Sequence, residues 1–168
     1  IVVVDIISYP EKHQPPIGKI TEILGYSNNP KVELNSIFRK LETRIEFPPD
    51  VVEQAKKATT NFSDKDLKGR RDLTGWTIFT IDGETAKDFD DAISLESTGV
   101  GFKLGVHVAD VSHYVKKNSA LDKEAFERGT SIYFPNGVIP MLPFELSNDT
   151  CSLKPNVKRL TLTALIDF

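Results

Sequence analysis

At 168 residues, with 39% apolar and 27% charged residues, the chain has the size and composition of one ordinary or two small soluble domains. It shows neither an apolar run of membrane-spanning length nor a basic-then-apolar signal segment, so no membrane partner is expected. A single cysteine, Cys151, excludes an internal disulfide and fits a reducing compartment, while a net charge of −3 argues only weakly against nucleic acid.

Taken in order, residues 2–7 are a β-branched run, 10–16 a polar Pro-bounded connection, and 17–24 an alternating run stopped by Gly25. Two strands cannot make a barrel, so they read as the closing strands of a small β domain. His13 in the connection reads as a surface residue, because no second His or Cys is near it in sequence. Both ends of the chain read as strands (1–4 and 160–166), the pattern expected of a piece cut from something longer.

Asn28-Asn29-Pro30 is helix-start chemistry, and Val32, Leu34, Ile37, Phe38 and Leu41 recur at helical spacing, predicting a helix over about 30–43. Pro48-Pro49-Asp50 restarts the pattern, with Val51, Val52, Ala55 and Ala58 marking a second short helix. Residues 60–75 read as a polar loop in which Arg70 and Arg71 pair with nearby acids. Strands follow at 76–81, 92–95 and 102–109, and His107 in the last reads as a hydrogen-bonded core histidine. Ser119 opens a helix carrying Leu121, Ala125 and Phe126 that Gly129 stops. Residues 132–143 hold three prolines and an Asn136-Gly137 turn, and read as an extended segment draped along a cleft. A final strand begins at Leu160, and the whole is a mixed α+β fold.

The densest chemistry lies at residues 82–91, where Asp82, Asp88, Asp90 and Asp91 fall within ten positions between two strand-like runs. A strand ending at Asp82 and returning from Asp88 brings four carboxylates to one place, with Asp82-Gly83 as turn chemistry. Like charges gathered so closely repel, and proteins usually give them a cation; an all-oxygen set suits Mg²⁺ or Mn²⁺ rather than zinc or copper. A solvated acidic turn has the same spacing, and both readings stand at this point. Residues 36–71 hold nine Lys/Arg against six Asp/Glu, and residues 72–115 two against eight. That is a layout for steering a polyanion to a metal site. EF-hand calcium spacing fails for want of a Glu at the twelfth position, and Cys151 with His107 or His113 lacks a nucleophile signature.

Several ordered motifs carry a family resemblance. The run Arg71-Asp72-Leu73, Thr80-Ile81-Asp82 and 86–93 (Ala-Lys-Asp-Phe-Asp-Asp-Ala-Ile) resembles the start of the catalytic, or RNB, domain of the ribonuclease II/ribonuclease R family. So do Val106-His107-Val108-Ala109-Asp110-Val111-Ser112, Ser131-Ile132-Tyr133-Phe134-Pro135, residues 138–143, and Cys151-Ser152-Leu153. Residues 16–25 are similar to the end of the cold-shock domain that precedes it in the ribonuclease R branch.

The resemblance implies a processive, hydrolytic 3′→5′ exoribonuclease that degrades single-stranded RNA to nucleoside 5′-monophosphates in RNA turnover and quality control. It implies the end of a cold-shock, OB-type β domain over 1–28, a helical linker over 29–70, and a truncated catalytic portion over 71–168. By position, Asp82, Asp88, Asp90 and Asp91 match the family's catalytic, Mg²⁺-holding (alternatively Mn²⁺-holding) carboxylates, with Asp82 and Asp91 expected as ligands and Asp90 as the most sensitive position. Tyr133 matches an aromatic that stacks on the 3′-terminal base of RNA. A cytoplasmic, monomeric parent protein needing no cofactor beyond the metal is implied, as is little or no activity in this portion alone. A non-catalytic RNA-binding descendant is the alternative, and its discriminating feature is the quartet: a mere binder has no need of all four carboxylates.

Overall fold

Local sequence chemistry explains most element boundaries. In a computed structural model, which describes residues 1–11, 14–59, 62–135 and 137–168, the chain divides into two units, Ile1–Glu46 and Phe47–Phe168. The expected surface position of His13 and the Asn136 half of the Asn-Gly turn lie outside the described residues.

In the first unit β1 (Val2–Ser8) and β2 (Ile17–Ile23) pair antiparallel, with register irregularities after Val3 and Ile6. The Ile1 carbonyl accepts from Leu24 N at 3.0 Å, closing the open end of the hairpin. Helix α1 (Pro30–Lys40) begins where its sequence says it should: the Asn29 side chain accepts from Lys31 N at 3.0 Å, and Pro30 occupies the first turn. It ends three residues before the expected boundary, and its buried face is Val32 and Phe38. Gly25 has φ 129°, and a side chain there would press on Val32, so glycine is required both by backbone and by packing.

The second unit is built on a four-stranded antiparallel sheet in the order β3-β4-β5-β8. Its strands are β3 (Ile78–Phe79), β4 (Asp91–Ser97), β5 (Phe102–Ala109) and β8 (Thr161–Asp167). Ala92, Ser94, Gly105, His107 and Ala109 turn to the buried face, with Ala92 opposite His107 and Ser94 opposite Gly105. Helices α2 (Pro49–Ala58) and α5 (Ala120–Arg128) pack on each other, and Val51, Ala55, Ala109, Tyr114, Leu121, Leu142, Leu146, Cys151 and Leu160 form the core. The Gln54 side chain accepts from Leu121 N at 2.9 Å, tying the two helices where α5 begins. Ser119 caps α5 by accepting from Asp122 N at 3.2 Å, and Gly129 ends it at φ 71°.

Three local expectations are revised, and two short elements appear where none was expected. The strand at 76–81 shrinks to Ile78–Phe79, because only those residues find partners on β4, at Ser94 and Ile93. The loop at 60–75 contains a one-turn helix α3 (Asp64–Leu67), started by Asp66, whose carboxylate accepts from Ser63 N and Ser63 Oγ at 2.7 Å each. Helix α4 (Val111–Tyr114) is likewise one turn, capped by Asp110, and a turn of π-helix spans Leu146–Thr150. Each is too short for hydrophobic periodicity to report. The proline-rich segment is not wholly irregular: β6 (Ile132–Phe134) and β7 (Gly137–Ile139) form a separate small antiparallel pair.

Candidate active site

The four aspartates sit on the connection between β3 and β4. Strand pairing stops at Phe79 and resumes only at Asp91, which opposes Val108. Between them the chain turns at Gly83, whose carbonyl accepts from Ala86 N at 3.0 Å, and then runs outside any helix or strand through residues 87–90. That run gains order from outside the ladder. Ala109 N donates to the Asp90 carbonyl at 3.0 Å, Leu153 N donates to the Phe89 carbonyl at 2.8 Å, and the buried Ser152 hydroxyl bonds both Lys87 O and Phe89 N. The acidic loop is therefore fastened by the end of β5 on one side and by residues 152–153 on the other.

Asp90 records what this achieves. Its carboxyl is pushed above the ordinary carboxylate range, first by burial and then by the charges of Asp88, Asp91 and Asp82. Asp88, Asp91 and Asp82 are thus near enough for their charges to bear on Asp90. Among the described residues no three His, Cys, Asp or Glu side chains are closed down to a ready ligand set; mutual repulsion favours that spacing. The donor set is nevertheless all carboxylate oxygen, suited to a hard divalent cation, and a cation there would relieve the strain that raises Asp90.

Tyr133, on β6, enters the same environment. Its hydroxyl donates to Asp88 Oδ2 at 2.8 Å while 69% of the residue stays exposed, so it is not the buried core tyrosine its apolar neighbours also allow. The bond to Asp88, then burial and the charges of Asp88 and Asp90, hold that hydroxyl protonated. The ring remains open to a ligand.

The other candidates go to structural roles. His107 is 1% exposed, with Nε2 at 3.0 Å from Ser94 Oγ and Nδ1 at 3.0 Å from Thr163 Oγ1, and burial lowers its pKa. Cys151 is buried and its thiol is pushed up to about 12, the state of an inert cysteine. Arg70 pairs with the buried Asp110, which also accepts from Ser112 Oγ at 2.7 Å; burial opposes that charge, but the bonds from Arg70 and Ser112 prevail and hold the carboxyl low. Arg71 lies over the Trp76 ring, 5.1 Å from its centroid. The residues that spacing could not reveal are Ser152 and Leu153, whose partners lie more than sixty positions away.

The chain belongs to the RNB-domain family: residues 70–168 match the RNB domain, and residues 1–48 match a cold shock domain. Within that class the likeness is to ribonuclease R. The chain is 50% identical to Ribonuclease R of Thermotoga maritima over 170 residues, covering 99% of this chain and 24% of that protein. The solved structure of Mycoplasma genitalium RNase R in complex with double-stranded RNA matches at TM-score 0.92 and 34% identity, over 99% of this chain and 30% of that one. Yeast Ssd1, a pseudonuclease, shares the fold at TM-score 0.71 and 23% identity, over 98% of this chain and 21% of that one. The chain spans about a quarter of the length of these relatives.

Proposed function

We propose that the protein carrying this chain is a metal-dependent exoribonuclease that degrades single-stranded RNA processively from its 3′ end and releases nucleoside 5′-monophosphates by hydrolysis. The observation that carries this reading is the Tyr133 hydroxyl on Asp88 beside Asp90, whose carboxyl is raised first by burial and then by the charges of Asp88, Asp91 and Asp82. Asp82, Asp88, Asp90 and Asp91 would hold Mg²⁺, or Mn²⁺ in its place. Such a cation supplies an activated water and offsets charge on the scissile phosphate and the leaving 3′ oxygen. The chain's own contribution is to hold the carboxylates at fixed positions on the β3–β4 connection and to orient Asp88 through Tyr133. With its hydroxyl engaged by Asp88, the Tyr133 ring offers a face for the 3′-terminal base, and stacking accepts any base.

The relatives support the substrate class, since the Mycoplasma genitalium RNase R has been solved with double-stranded RNA and with ribose-methylated single-stranded RNA. Fold alone does not decide activity, because a pseudonuclease shares it; the complete quartet is what favours the enzyme over an RNA-binding descendant. Residues 1–28 would close a cold-shock domain, 29–70 would link it, and 71–168 would begin the catalytic domain of a cytoplasmic, monomeric protein acting in RNA turnover and quality control. Among the described residues no helix is long and apolar enough to cross a membrane.

The test follows 5′-labelled single-stranded RNA with the intact protein and Mg²⁺. A descending ladder with 5′-monophosphate products, stopped by a chelator, is expected. RNA that is bound yet stays full length, with or without Mg²⁺, would establish the binding-only reading.

A further inference from the structure

Residues 87–90 lie in no strand, yet they carry Asp88 and Asp90, so their backbone must be fixed from elsewhere. The side chain that does this most directly is Ser152, which is fully buried. Its Oγ donates to the Lys87 carbonyl at 2.9 Å and accepts from Phe89 N at 3.0 Å, so one hydroxyl straddles Asp88. The next residue extends the clamp, with Leu153 N donating to the Phe89 carbonyl at 2.8 Å. Ser152 is itself held: its carbonyl accepts from Arg159 Nε at 3.0 Å, and the same guanidinium reaches Asp149 Oδ1 at 3.1 Å.

We propose that Ser152 is a positioning residue that sets the affinity of the acidic loop for its divalent cation. The proposal rests on reading Asp88 and Asp90 as metal-holding carboxylates. A hydroxyl can donate and accept at once, and neither a methyl nor a thiol replaces it well in both roles. Without it, the Lys87 carbonyl and the Phe89 amide lose their partner in a partly enclosed site and recover hydrogen bonds only by shifting toward water. Any such shift moves Asp88 and Asp90, and a cation with strict coordination geometry tolerates little displacement of its ligands. Substitutions that disturb the supports of metal ligands typically weaken affinity by about 10–100-fold.

The experiment titrates Mn²⁺ into the intact protein without RNA, by electron paramagnetic resonance, and measures Tm in chelator. The variants are Ser152→Ala, Ser152→Cys, Asp90→Asn and, as a core truncation away from the loop, Leu121→Ala. Ser152→Ala should weaken Mn²⁺ binding on the order of tenfold or more, and Ser152→Cys by a smaller factor. Leu121→Ala should lower Tm without moving Mn²⁺ affinity. If Ser152→Ala fails to fold, Ser152→Cys decides alone. Wild-type Mn²⁺ affinity in both serine variants, beside a weakened Asp90→Asn, overturns the proposal and leaves the metal-site reading standing. An equal loss in Leu121→Ala also overturns it, as general loosening. Unchanged affinity in Asp90→Asn overturns the metal-site reading and the proposal together.

Discussion

At Asp90 and His107 the fold disfavours a charge, and it does so in two different settings. The ionised form of Asp90 is disfavoured first by burial and then by the neighbouring carboxylates of Asp88, Asp91 and Asp82. His107 is a neutral imidazole held from both sides by Ser94 and Thr163 in a site where burial disfavours its cation. Gly105 belongs to the same arrangement, since a Cβ there would collide with the Ser94 hydroxyl and crowd the His107 ring. Because the folded pKa of His107 is lowered, the unfolded chain binds its proton first. Stability is therefore unaffected above the unfolded value of about 6.5 and declines as pH falls below it, by at most about 1.4 kcal/mol per pH unit, until the folded state also protonates. Thermal unfolding of wild type and His107→Gln between pH 7.5 and 5 checks this. The wild-type curve should fall more steeply on acidification, whereas parallel curves would mean that His107 protonates equally in both states.

At the scale of elements, the β6–β7 pair is what brings a side chain from outside the sheet to the acidic loop. It delivers the exposed Tyr133 ring to Asp88 from forty-five positions away. Truncating Tyr133 to Ala should weaken binding of a short RNA in chelator by about 1–3 kcal/mol, the worth of one stacked base. Tyr133→Phe should keep that affinity, because it loses only the bond to Asp88. Fluorescence anisotropy measures both, and an Ala variant that binds like wild type would remove Tyr133 from the RNA site.

The same elements show what a linear reading can and cannot reach. Helix α1, α5 and β5 were legible because capping residues and periodicity are local, and Asn29, Ser119 and Gly129 act where their chemistry predicts. The acidic quartet was legible because it is contiguous. The short helices α3 and α4 and the π-turn were not, being one turn each, with α3 and α4 held by side-chain bonds to Asp66 and Asp110. The anchoring of the acidic loop by Ser152 was also invisible, since only folding brings residue 152 to residues 87 and 89.

At the scale of the whole molecule, charge layout proves more structural than the sequence suggests. Of the nine Lys/Arg in residues 36–71, Arg39 pairs with Glu22, Lys57 with Glu53 and Arg70 with Asp110, while Arg71 covers Trp76. The exposed Arg39–Glu22 and Lys57–Glu53 pairs contribute little stability, and all these engagements reduce the basic charge available to steer RNA. Of the acidic stretch, Asp110 is taken up by Arg70, while the carboxylates that bear on Asp90 are those of Asp88, Asp91 and Asp82. The most direct measurement compares wild type with Asp90→Asn in the intact protein, following 3′-end decay of single-stranded RNA in Mg²⁺ and RNA binding in parallel. Loss of decay by several orders of magnitude with RNA binding retained is the expected result. Decay at the wild-type rate in Asp90→Asn would contradict the assignment of the quartet as the catalytic centre.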